Sequence, residues 1–215
     1  MTVPIKPTCS WILKRILQQR ETVQGMLEWQ QVNQGKKFQT RNFYYGLLTH
    51  EQQVFWHKLF YDNMVRPREN FILWLVCHDR LATRERLMRF GIINHNNCVF
   101  CNAIETLDNL LFQCDIMNKV WKYVLNRLQM EHEPGMWHQE LEWVIQQSKS
   151  RHWQARMLRA TFTKVVYIFW KYRNDMVHGN IANGIHIGQK IIDILAYRLW
   201  MRPKIRQHVA SLLLA

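Results

Sequence analysis

Three of the chain's five cysteines crowd into one short stretch, as Cys98-Val-Phe-Cys101 and Cys114. A C-x-x-C turn aims two thiolates at one ion, and a second pair from an adjoining helix closes a tetrahedral structural zinc site. Only half of that second pair is present, because residues 102–113 contain neither His nor another Cys. Asn is a weak substitute, since its amide oxygen is neutral and donates less than imidazole or thiolate. His95, three residues before Cys98, is close enough in sequence to swing in, and His78 is a more distant candidate. Three thiolates completed by water are chemically sound as well. The competing reading is three small apolar side chains packed among helices. A redox role for C-x-x-C would need a βαβ setting.

Other chemistry has little to stand on. There is no G-x-x-x-x-G-K loop, no G-x-S-x-G elbow and no H-E-x-x-H, and Gly totals 8. Polymerase chemistry needs paired carboxylates on a tight turn to hold two metals; Tyr61-Asp-Asn-Met is the nearest string and lacks the second one. Cys9 and Cys77 stand alone and read as packing residues, and His178-Gly179 reads as a helix end. A non-catalytic protein is expected.

Charge points elsewhere. The net charge is +13, spread as +7 over residues 1–97, −3 over 98–150 and +9 over 151–215. Two basic segments flanking an acidic middle favour a polyanionic partner, nucleic acid above all, through counterion release. The residues expected on exposed faces for phosphate contact are Arg84, Arg86, Arg89, Arg156 and Lys164. Solubility or an acidic protein partner would explain the same charge.

The elements that must position these residues read as successive helices. A content of 48% hydrophobic and 13% aromatic residues over 215 positions supplies a sizeable core, which excludes disorder. No stretch reaches the ~18 apolar residues of a membrane span, and the start of the chain lacks the layout of a secretory signal. Together with an odd cysteine count, these features imply an intracellular, reduced setting, with nucleus and cytoplasm undistinguished.

Ser10 caps an apolar helical repeat running to Leu27, and a short helix follows at about 41–48. Thr49 and Gln52 form a capping box for a helix carrying Phe55, Trp56, Leu59 and Phe60 that ends before Pro67. Residues 71–77 are taken as buried helix. Thr83 caps 84–90, with Gly91 at the C′ position. Ile116, Val120, Trp121, Val124 and Leu128 define one face of a helix from about Asp115. Pro134-Gly135 marks a break and a candidate hinge over 129–136. Helices are then predicted over 137–147, 152–177 and 185–201. In the long one, Leu158, Phe162, Val165, Val166, Phe169 and Met176 share an apolar arc opposite Arg156, Lys164 and Lys171. Arg173 falls inside that arc and must be paired. The class is all-α, a multi-helix domain with one irregular Cys-containing, zinc-knuckle-like insert.

Cys98-Val-Phe-Cys101-Asn-Ala-Ile-Glu105-Thr106-Leu-Asp-Asn109-Leu-Leu-Phe112-Gln113-Cys114, followed by Val120-Trp121, resembles the zinc-binding domain found after the reverse transcriptase in plant LINE-type (non-LTR) retrotransposons. Phe38-Gln-Thr-Arg-Asn-Phe-Tyr44, Phe71-Ile-Leu-Trp74-Leu75, Arg80-Leu81-Ala-Thr83-Arg-Glu-Arg86-Leu87 and Gly91-Ile92 extend the likeness upstream. Cys9-Ser-Trp11 and Trp170-Lys-Tyr-Arg173-Asn174 resemble segments flanking that domain. The resemblance implies a domain over 38–121 (knuckle 98–114) between an N-terminal helical flank, 1–37, and a basic helical region, 122–215. It implies zinc held by Cys98, Cys101 and Cys114. Where the family places a His ligand this chain has Asn109, so one ligand position is degenerate and His95 is the candidate substitute. It further implies a C-terminal piece of a retroelement polyprotein whose partners are element RNA or target DNA and a reverse transcriptase, with no membrane and no small-molecule substrate. Three functions remain open: a nucleic-acid-binding module, a scaffold docking on the reverse transcriptase, and a decayed remnant without activity.

Overall fold

In a computed structural model, the described residues are 54–60, 65–150, 152–179, 187–201 and 206. The chain divides into two compact units, Met1–Gln53 and Val54–Ala215, and all described residues belong to the second. The helices expected around Ser10 and over 41–48, the Thr49–Gln52 box and the Tyr61-Asp-Asn-Met string lie outside the described residues.

The second unit is built of helices: a 3-10 helix Phe55–Phe60, α1 Pro67–Cys77, α2 Arg84–Arg89, a π-helical turn Asn109–Gln113, α3 Asp115–Arg127, α4 Trp137–Gln147, α5 Trp153–Val177 and α6 Ile187–Trp200. No strand occurs among the described residues; an isolated antiparallel bridge joins Asn97 and Ile104. No helix among them is long and apolar enough to cross a membrane.

The local reasons are legible. Pro67 opens α1 at N1, where its missing N–H costs nothing. The Thr83 side chain accepts from Arg86 N and caps α2, and Gly91 follows with φ +67°, a left-handed value that glycine adopts without a Cβ penalty. His178 closes α5 and Gly179 follows at φ +73°.

The long helix α5 is the hub, packed by α1, α4, α6 and the π-helical turn. It is buried nearly all round, which corrects the expectation of one apolar arc opposite a basic face. Lys164 is 3% exposed, and its Nζ lies 2.6 Å from Glu69 Oε1 on α1. It is not on the surface to meet a phosphate. Arg173 is buried and ion-paired, as its place inside the apolar arc requires. Phe112, Trp137 and Phe162 stack in the core, with Phe162 6.0 Å from Phe112 and 5.7 Å from Trp137.

Two further expectations shift. The buried face of α3 is Met117, Trp121, Val124 and Leu125, whereas Ile116 is exposed, because α3 meets both α6 and the π-helical turn. The segment around Pro134-Gly135 is a fastened loop: buried Glu140 accepts from Gly135 N at 2.8 Å and Trp121 Nε1 at 2.8 Å, and pairs with His132 Nε2 at 2.6 Å.

Candidate metal centre and cationic surface

The knuckle is a short hairpin-like loop. Cys98 N donates to Ala103 O at 2.6 Å, Glu105 N donates to Asn96 O at 2.8 Å, and Asn102 turns the chain with φ 61°. Asn97 Nδ2 braces the turn through Asn102 O at 3.0 Å. The second half of the site comes from the helical turn that follows. Thr106 Oγ1 accepts from Asn109 N at 3.0 Å and starts that turn. Cys114 N then donates to Asn109 O at 2.9 Å, an i to i+5 bond that makes the turn π-helical. The turn delivers Phe112 to the core and Cys114 to the knuckle.

Cys98, Cys101 and Cys114 are brought together, their three Sγ atoms all within 4.8 Å of one another. Cys98 and Cys114 are buried and Cys101 is half-buried. Phe100 N points at Cys98 Sγ from 3.5 Å. A hydrogen bond from the Cys114 thiol draws the Cys98 pKa down to about 6, against the effect of burial. The same bond, together with burial, holds the Cys114 proton well above the ordinary thiol range, although the amides of Met117 and Ile116 oppose it. By contrast, burial pushes Cys77 up to about 12, as suits a packing thiol.

These residues fit a thiophilic ion. With a Zn–S length of about 2.3 Å, tetrahedral coordination sets sulfurs about 3.8 Å apart, so the cluster needs to contract by no more than about 1 Å. The fourth position is different. His95 is exposed, and no His or carboxylate joins the three thiols among the described residues. His78 packs against Trp56 and Trp74. Asn109 is 8% exposed and sits on the cluster, its Nδ2 3.3 Å from Cys101 Sγ and its Oδ1 3.7 Å from it.

The cluster is clamped to the hub helix. Glu105, fully buried, takes three hydrogen bonds from Arg173 of α5, at 2.6 to 3.1 Å, and one from Arg84 N at 2.8 Å. Phe100, inside the C-x-x-C turn, stacks on Tyr172 with ring centres 5.1 Å apart.

The cations expected to meet phosphate are dispersed. Arg84 Nη1 donates to Asn97 O and Arg86 Nη1 to Asp79 O, so both brace loops. Arg156 is half-buried and engaged within the fold. Arg89 is exposed. A group missed in the sequence lies elsewhere: exposed Arg66, Arg68 and Lys190 rim a cleft of about 730 Å³ between α1, α5 and α6, floored by Tyr167 and Ile168. Residues so far apart in sequence left no local signal.

Residues 38–121 match the family model described as zinc-binding in reverse transcriptase. That stretch contains the knuckle, the π-helical turn and the first half of α3, and it is similar to a reverse-transcriptase-associated zinc module. No curated protein matches the chain, and no solved structure does.

Proposed function

We propose that the chain is a non-catalytic nucleic-acid-binding module that works beside a reverse transcriptase of the plant LINE-type, non-LTR class, as a C-terminal piece of its polyprotein in an intracellular setting. The observation that carries the reading is the coincidence of the matched stretch with a three-thiol cluster clamped into a strongly basic helical unit. A metal held by Cys98, Cys101 and Cys114 would supply a crosslink between the knuckle and the start of α3. The protein's own residues do the rest: Glu105 and Arg173 hold the loop on α5, and exposed cations face the polyanion. Arg66, Arg68 and Lys190 form one candidate strip and Arg89 another; Lys164 contributes from inside, by holding Glu69.

The test is binding of single-stranded RNA and duplex DNA over a salt series with nuclease-treated protein. Affinity is expected to fall linearly in log–log form, with a slope that counts the phosphates contacted. Absence of binding at low salt would overturn the reading. A docking role on the reverse transcriptase is the second reading, favoured by the neighbouring exposed Met88, Phe90 and Ile92, at 45%, 63% and 65% exposure. A pull-down that survives nuclease treatment and is lost in Phe90→Ser would support it.

A further inference from the structure

We propose that the cysteine cluster is a three-sulfur site for a thiophilic ion content with trigonal coordination, monovalent copper being the type, and that Asn109 serves it as an N–H donor to Cys101 rather than as a fourth ligand. The inference rests on the reading above only in taking the cluster to hold a metal.

Three observations carry it. The first is the donor set: three sulfurs within 4.8 Å, with no imidazole or carboxylate joining them among the described residues. Structural zinc is almost always four-coordinate, and a set of only three thiolates matches a soft ion that accepts three ligands, such as monovalent copper. The second is the Asn109 amide. It is nearly buried and lies against Cys101, with Nδ2 3.3 Å from Sγ and able to donate to a thiolate, while Oδ1 at 3.7 Å accepts from the protonated thiol. An N–H so placed stabilises a thiolate and repels a cation. The third is that two of the sulfurs have an N–H within reach, Phe100 N 3.5 Å from Cys98 Sγ and Asn109 Nδ2 3.3 Å from Cys101 Sγ. Three thiolates around a monovalent ion carry a net charge of −2, and these donors offset it where two of the sulfurs are out of solvent.

Loading is an exchange without electron transfer. The bonds from Cu(I) to the competing chelator break, three S–Cu(I) bonds form, each S–H still present breaks and gives its proton to solvent, and copper stays monovalent throughout.

The experiment uses the full chain, reduced and metal-free. Monovalent copper is titrated against a competing chelator under anaerobic conditions, zinc is titrated separately, and X-ray absorption counts the ligands. The expected result is one copper per chain with three sulfur neighbours and no light-atom neighbour. Asn109→His is expected to raise zinc affinity by about tenfold or more while moving copper affinity by no more than about threefold. Cys101→Ser, at the half-buried corner, is expected to reduce the sulfur count to two. Zinc binding by the natural chain as tight as by Asn109→His would overturn the proposal, as would an oxygen or nitrogen in the copper shell. If neither protein takes either ion while both remain helical by circular dichroism, the metal reading itself falls along with this one.

Discussion

Arg173 and Glu105, 68 residues apart, meet as a buried pair with Nη2 2.6 Å from Oε1, and the contact pins the end of the knuckle loop to the C-terminal part of the unit's hub helix. The guanidinium also lies over the Trp170 ring, 5.0 Å from its centre. Because Glu105 accepts from Arg84 N as well, one carboxylate ties together the knuckle, α2 and α5.

Removing one partner of that pair leaves an uncompensated buried charge. Arg173→Met is expected to cost about 3–5 kcal/mol of unfolding free energy. Glu105→Gln with Arg173→Met should recover part of this, because no charge is then stranded. Urea unfolding of the two singles and the double checks it; a single-variant loss under about 1 kcal/mol would mean the clamp is not needed for stability.

The second buried carboxylate sets an acid limit. Burial pushes Glu69 up, but hydrogen bonds from Lys164, Arg198 and Arg66 N outweigh it and leave the pKa below its ordinary 4.5. A carboxyl depressed in the folded state contributes stability that is fully present above its unfolded value and is lost as pH falls through the folded value. Stability should therefore decline below about pH 4.5 more steeply in the natural chain than in Glu69→Gln. Unfolding midpoints measured across that range test this, and parallel pH curves would contradict it.

Two glycines are expected to resist alanine for different reasons. A Cβ at Gly91 meets nothing within 4 Å, so Gly91→Ala pays only for φ +67°, about 1–2 kcal/mol. At Gly188 a Cβ would stand 2.6 Å from the Tyr123 ring, so Gly188→Ala must displace that ring or α6, at about 1–3 kcal/mol. Thermal unfolding gives both losses. Only Gly188→Ala should alter the tyrosine fluorescence, because only there does a side chain move.

Among the cations, position separates the outcomes. Neutralising Arg66, Arg68 and Lys190 together is expected to lower the salt slope of nucleic-acid binding by about 2–3 while leaving the fold intact. Lys164→Met should instead destabilise the protein by removing the most buried of the cations paired with Glu69 and leaving Arg198 alone to balance it. Filter binding beside circular dichroism distinguishes the two, and an unchanged slope in the triple variant would move the interface to another face.

Sequence reading recovered most helices because their signals are local. Thr83 and Gly91 bracket α2, the span of α4 was legible to the residue, and Arg173 had to be paired once it fell within an apolar arc. It also grouped the three cysteines, since a C-x-x-C turn converges its own sulfurs. It failed where long-range packing decides. Lys164 was assigned to solvent because a 3.6-residue period supposes one buried face, whereas α1 and α6 cover the other side of α5; its partner Glu69 is 95 residues away. The face of α3 was misplaced by one residue at Ile116 for the same reason. The π-helical turn had no sequence signature, so Asn109 could be seen as a missing ligand but not as a neighbour of Cys101.

That turn makes the cysteine cluster a matter of counting. A π-helical turn carries one residue more than an α-helical one closes over. Deleting a single position between 109 and 113 would restore the ordinary winding and swing Cys114 by about 100° around the helix axis, away from the knuckle. A substitution in this stretch disturbs packing at one buried side chain, whereas a change in length displaces the ligand itself. The position of the third sulfur therefore depends on the length of the turn more than on any one side chain within it.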